Sequence, residues 1–163
     1  MVNNGEWGPP LWRILHTLAE RLGQAGIAEL LKADEAREWV LVLRYTERVM
    51  PCALCRKHYS LWRKQRPFEK FADMRDQFLK EEARKWLWEL HENVNSRREI
   101  QSGIDLAAVE TIYKARTKQE FQEDVETLVK KLKEYMLLHN VLDPAAYREW
   151  YAHLTRLRKL VGI

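Results

Sequence analysis

The sequence predicts an all-helical protein, and three observations carry that expectation. Apolar residues recur at helical spacing almost everywhere along the 163-residue chain, and no stretch longer than four residues alternates as a half-buried strand would. Only six glycines and five prolines interrupt a composition that is 46% hydrophobic and 32% charged, which argues against a β-sandwich or a Gly-rich nucleotide fold. A chain of this size can bury roughly 70% of the surface its unfolded form exposes, so its two cysteines are not required as a disulfide framework.

The elements follow in order. A first helix is expected from Pro9 to Leu22, because proline suits a first helical turn and Leu11, Ile14, Leu15 and Leu18 form one stripe; Gly23 and Gly26 end it. A second should start with Asp34 as N-cap, bury Trp39, Val42, Leu43 and Val49, and stop where Pro51 restricts Met50. The third runs from Cys52 to Gln65 and closes at Arg66-Pro67. After a connector, the longest periodic run spans Asp73 to Arg98 with Phe78, Trp86, Leu87, Leu90 and Val94 inward, and Ser102-Gly103 breaks it. A short helix from Asp105 carries Leu106, Val109, Ile112 and Tyr113. Thr117 then caps a two-helix appendage, residues 118–139 (Phe121, Val125, Leu128, Leu132, Tyr135) and 144–160 (Tyr147, Trp150, Tyr151, Leu154, Leu157), joined at Asp143-Pro144. The domain organisation expected is 1–115 as one helical unit and 116–163 as an extension packed on it or at an interface.

The chemistry concentrates at Pro51-Cys52-Ala53-Leu54-Cys55. A dithiol at a helix start lies against unpaired N–H groups and the positive end of the helix dipole, which favour a thiolate. A thioredoxin-like strand does not precede it. Cys-x2-Cys spacing also suits tetrahedral zinc completed by histidines, so redox and metal readings stand side by side at this point. His58, three residues beyond Cys55, serves either. Trp12 and His16 pair at i, i+4 on the first helix, and His91 and Asn95 do so on the long one. Aromatic planes with imidazole and amide groups suit a flat, partly polar ligand; zinc needs neither the tryptophan nor the asparagine. Seven tryptophans beside four phenylalanines fit the same reading. The net charge of +4 falls short of the Lys/Arg density of a nucleic-acid binder. No run of 18 apolar residues and no signal-peptide pattern occurs in the sequence, so neither a membrane nor a nucleic acid is an expected partner.

In pattern and order these residues resemble the Erv/ALR family of FAD-linked sulfhydryl oxidases. Gly8, Trp12 and His16 resemble the family's first-helix motif, Cys52 to Cys55 its redox-active Cys-x-x-Cys, and Trp86 with Leu90-His91-Glu92-Asn93-Val94-Asn95 its Trp-x4-His-Asn-x-Val-Asn. The pattern departs at Glu92, where the family has asparagine, at Met50, where an aromatic is common, and in the lack of any further cysteine. The resemblance implies a four-helix bundle plus a short fifth helix enclosing FAD, usually as a homodimer. It implies Cys52 as the cysteine that exchanges with a client protein or dithiol carrier, and Cys55 as the flavin-proximal one. It also implies Gly8, Trp12, His16, His58, His91, Val94 and Asn95 as FAD contacts, Arg97 or Arg98 near its phosphates, Tyr113 near the adenine, and dioxygen as the acceptor that yields hydrogen peroxide. Small single-dithiol members are characteristic of large DNA viruses, which places such a chain in host cytoplasm or virion. The rival expectation is a non-enzymatic helical module with a structural Cys/His zinc site.

Overall fold

The structure, a computed structural model describing residues 2–24 and 26–163, is all-helical, with no strand among the described residues. Seven α-helices follow one another: α1 Asn4–Arg21, α2 Glu29–Val49, α3 Ala53–Gln65, α4 Asp76–Arg97, α5 Leu106–Lys114, α6 Lys118–His139 and α7 Pro144–Val161. A 3-10 turn, Glu69–Asp73, occupies the connector between α3 and α4, where the sequence pattern announced nothing.

α1 begins at Asn4 and not at Pro9. Asn3 caps it, its Oδ1 accepting the Gly5 N–H at 2.9 Å, and Trp7 buries its side chain in the core, so the extra turn is held at both ends. Pro9 and Pro10 consequently lie inside the helix and leave the Gly5 and Glu6 carbonyls without their helical donors. α2 likewise begins at Glu29, five residues before the Asp34 expected as its cap. Lys32 braces that first turn, reaching Glu29 and, across to the start of α4, Asp76, both at 2.9 Å; Asp34 instead pairs with Arg37 within the helix. α4 begins three residues later than expected, and Phe78, Ile112 and Tyr151 are exposed. Each neighbours a buried residue (Leu79, Tyr113, Trp150) that takes the inward position by one step of 100°. The remaining boundaries fall where cap chemistry placed them. Met50 is extended before Pro51, Asp105 caps α5, Thr117 and Glu120 form a reciprocal capping box on α6, and Asp143 caps α7 with Pro144 at its first position.

Packing is organised around two helices. α1 carries α4, α5 and α6 against it, while α2 lies against α7, α3 and the 3-10 turn. One continuous hydrophobic cluster runs through α1, α2, α3, the 3-10 turn, α4, α6 and α7, with Trp39, Phe68, Phe71, Phe121, Tyr135 and Trp150 among its fully buried members. α6 and α7 therefore contribute to the same core as α1 and α2.

Candidate active site

The sharp junction between α2 and α3 creates the site. Pro51 prevents α2 from continuing, and the chain turns so that Cys52 becomes the N-cap of α3, its sulfur accepting the Cys55 N–H at 3.1 Å. Cys52 and Cys55 are joined as a disulfide across one helical turn, with Cα atoms 5.2 Å apart. On reduction, a sulfur here faces the unpaired N–H groups of the first turn of α3, where negative charge is favoured. Arg56 locks the junction: its guanidinium donates to the Met50 carbonyl and, at 3.4 Å, to the Val141 carbonyl between α6 and α7.

The first turn of α1 covers the disulfide. The indole N–H of Trp7 donates to Asn4 Oδ1 at 3.1 Å, which fixes the amide so that its Nδ2 faces both sulfurs, 3.7 Å from Cys55 and 3.9 Å from Cys52. From there a groove of about 280 Å³ extends between α1, α3 and α4. Trp7, Leu11, Trp12, Leu15, Tyr59 and Leu90 give it flat apolar walls; Asn4, His58 and Asn93 are its polar groups, and Arg97 and Arg98 supply cations from the end of α4. This is the ordinary make-up of a small-molecule site.

Of the residues expected at the site, Gly8, Trp12, Cys52, Cys55, His58, Val94, Arg97 and Arg98 line this groove. Three others form a layer behind it. His91 stacks on Trp12 with centroids 4.0 Å apart, His16 stacks on Tyr113 at 4.4 Å, and His16 Nε2 meets His91 Nδ1 at 3.3 Å. Burial is the main reason that both imidazoles resist protonation, with His16 lowered to about 3 and His91 to about 4; the neighbouring His91 lowers His16 further. Both rings are therefore neutral near pH 7, and one N–H is shared between the two facing nitrogens. His16 Nδ1 is buried with no partner, an open hydrogen-bonding position in the layer.

Asn95 does not line the groove. It follows Val94 by 100° of helix and is buried on the flank of α4, its backbone carbonyl closing the turn to Arg98 and Ile100; Asn93 lines the groove instead and accepts from Arg97 Nε at 3.1 Å. Glu92, the departure from the family pattern, also points elsewhere: Ser102 donates to it at 2.7 Å and ties down the loop before α5.

Asn4, Trp7 and Asn93 were absent from the sequence expectation. The signal for the first two was present, since residues 4, 7, 8, 11, 12 and 15 share one helical face. Starting the helix at the prolines concealed it. The zinc arrangement is not assembled, because the two sulfurs are bonded to one another and no group of three or more His, Cys, Asp or Glu among the described residues is placed to hold a metal.

A family model described as the Erv1/Alr family matches residues 9–114. No curated protein and no solved structure matches the chain. The chain belongs to the Erv1/Alr family, and its class of function is that of the sulfhydryl oxidases. No helix is long and apolar enough to cross a membrane among the described residues.

Proposed function

We propose that the protein is an FAD-dependent thiol oxidase that makes disulfides in client proteins or a dithiol carrier through Cys52 and Cys55. The observation that carries this reading is the opening of the Cys52–Cys55 disulfide onto an apolar, aromatic-walled groove with arginines at one end. Those residues suit a long cofactor with a flat ring at one end and phosphates in its middle. Trp12, Gly8, Val94 and His58 would hold the ring portion beside Cys55, and Arg97 and Arg98 the phosphates. The His16–His91–Tyr113 layer would meet the adenine end, offering the unpartnered Nδ1 of His16. FAD, when bound, supplies the two-electron acceptor for the reduced cysteines and is reoxidised by dioxygen, giving hydrogen peroxide.

The protein's own steps are thiol–disulfide exchange. A client thiolate attacks Cys52 Sγ; the Cys52–Cys55 bond breaks and its electron pair leaves on Cys55, as a thiolate beside the α3 N-terminus and the Asn4 amide. A second client thiol, deprotonated, attacks the client sulfur of the mixed disulfide and expels Cys52. The client has lost two electrons and two protons and the cysteine pair has gained the electrons. With no further cysteine in the chain, Cys52 meets the client without an internal relay. The reading includes a homodimer and a place among the small single-dithiol oxidases of large DNA viruses.

Purified protein is expected to be yellow, with flavin absorbance that survives desalting. Cys55→Ser should keep the colour but block its bleaching by dithiothreitol under anaerobic conditions, and Trp12→Ala should release the flavin. Colourless protein carrying one equivalent of zinc would overturn the reading in favour of a structural metal module.

A further inference from the structure

A second concave feature is a cleft of about 620 Å³ between the second half of α2 and the next face of α3, lined chiefly by charge. Arg44, Arg48, Arg56, Lys57 and Arg63 face it, with Glu47 as its one carboxylate. Arg63 is satisfied, pairing with Glu47 at 2.7 Å and with Glu69 at 3.2 Å. The other four cations have no carboxylate partner among the described residues; Arg56 spends its guanidinium on two backbone carbonyls. Five cations against one carboxylate leave the cleft at +4, which equals the net charge of the entire chain. The charges outside the cleft sum to zero, so the cleft holds an excess as large as that of the whole chain.

Unpaired guanidinium groups converging on a concavity select an anion, and their planar fork favours carboxylates and phosphates. Position decides which kind. Arg56 is peptide-bonded to Cys55, so the α3 wall of the cleft begins one residue beyond the dithiol. A nucleic-acid footprint would instead spread Lys and Arg along a face, whereas here they converge beside a thiol-exchange site.

We infer that the Arg44–Arg48–Arg56–Lys57 cleft is a docking site for an acidic segment of the client polypeptide, which holds the client while its thiols exchange with Cys52. The identity of the occupant as a client rests on the oxidase reading; its acidity rests on the cleft alone. Docking of this kind raises the encounter rate and lowers KM for acidic clients while leaving the exchange chemistry unchanged.

The experiment uses the purified full-length protein and a fluorescein-labelled peptide rich in Asp and Glu, with no cysteine, so that binding is read without turnover. Anisotropy is expected to show binding at about 0.05 M salt that weakens roughly tenfold or more at ~1 M, where the screening length is about 3 Å. The doubly exchanged Arg44→Glu/Arg48→Glu protein should lose about tenfold in affinity, and Arg44→Lys/Arg48→Lys should retain most of it, since both positions are exposed and the ion pairs expected are rim-like. The same reversal should raise KM for a dithiol peptide bearing that acidic segment, with kcat and turnover of dithiothreitol unchanged. Equal binding of a matched Asn/Gln peptide, or insensitivity to the charge reversal, would overturn the inference. So would tighter binding of a single-stranded oligonucleotide, which would make the cleft a nucleic-acid site. Peptide binding in a protein that never oxidises thiols would retain the basic cleft as a site for acidic segments and overturn only the oxidase reading.

Discussion

Asn4 shows how one side chain acquires a role from its neighbours. Its amide is held by the Trp7 indole with Nδ2 toward both sulfurs. Against a disulfide such a contact contributes little, because the sulfurs are weak acceptors. Against a thiolate it becomes a charge-assisted hydrogen bond, so its stabilisation falls selectively on the reduced form. Taking about 1 kcal/mol for this exposed donor, Asn4→Ala should make the pair more reducing by about 20 mV at 30 mV per 1.4 kcal/mol. Trp7→Phe, which frees the amide to rotate, should move the potential the same way by less. A glutathione titration reads the potential, and the pH profile of iodoacetamide labelling reads the thiolate; if both stay at wild-type values in Asn4→Ala, the amide only completes the first turn of α1.

At the scale of elements, α1 is followed by a constrained glycine. Gly23 sits at φ 67°, and a Cβ there would overlap the Asp76 backbone carbonyl at the start of α4, while its N–H donates to Glu35 at 2.8 Å. Gly103 shares the left-handed conformation at φ 68° but has open space around it. Gly103→Ala should therefore carry only conformational strain of about 1–2 kcal/mol, whereas Gly23→Ala adds a forced backbone displacement worth about 1–3 kcal/mol more. Thermal unfolding of the two variants should rank Gly23→Ala well below Gly103→Ala; equal melting temperatures would mean that α4 does not press on the loop. This contact also marks what the sequence could and could not disclose. Helix ends set by local chemistry, such as the Thr117–Glu120 box or Asp143 before Pro144, are legible because the cap and its partner lie within three residues. The start of α2 is not, since it depends on Lys32 reaching Asp76 across the fold; that of α1 has a local cap in Asn3 but is obscured by Pro9 and Pro10 inside the helix. The site divides in the same way. Cys52, Cys55, Trp12, His16 and His91 announce themselves by spacing, while the His16–His91 contact and the aim of Asn4 exist only once α1, α3 and α4 have met.

At the scale of the molecule, the helices beyond residue 116 hold the site in place. Tyr135 on α6 donates to Glu6 at 2.7 Å, and Lys131 reaches the same carboxylate at 3.4 Å, anchoring the turn of α1 that carries Asn4. The Val141 carbonyl receives Arg56 from beside Cys55. Arg13 and Arg116 converge on the buried Asp124 carboxylate, and His153 on α7 meets Glu38 on α2 at 2.6 Å in a largely buried pair. Phe121, Leu128, Leu132, Tyr135, Trp150, Leu154 and Leu157 are each at most 1% exposed. At about 1.5–3 kcal/mol for each buried side chain, their burial is as large as the roughly 5–15 kcal/mol by which a domain is stable. Ending the chain at residue 115 would also strip His153 from Glu38 and Tyr45 and uncover the faces of α1 and α2 that meet α6 and α7. The truncated chain is accordingly expected to lose its near-ultraviolet circular dichroism and its cooperative melting, even though it contains both cysteines and the whole of the matched family segment. A truncated protein that melts cooperatively, with its cysteines exchanging at the full-length rate, would instead make α6 and α7 a dispensable appendage and require α1 to hold Asn4 over the disulfide without them.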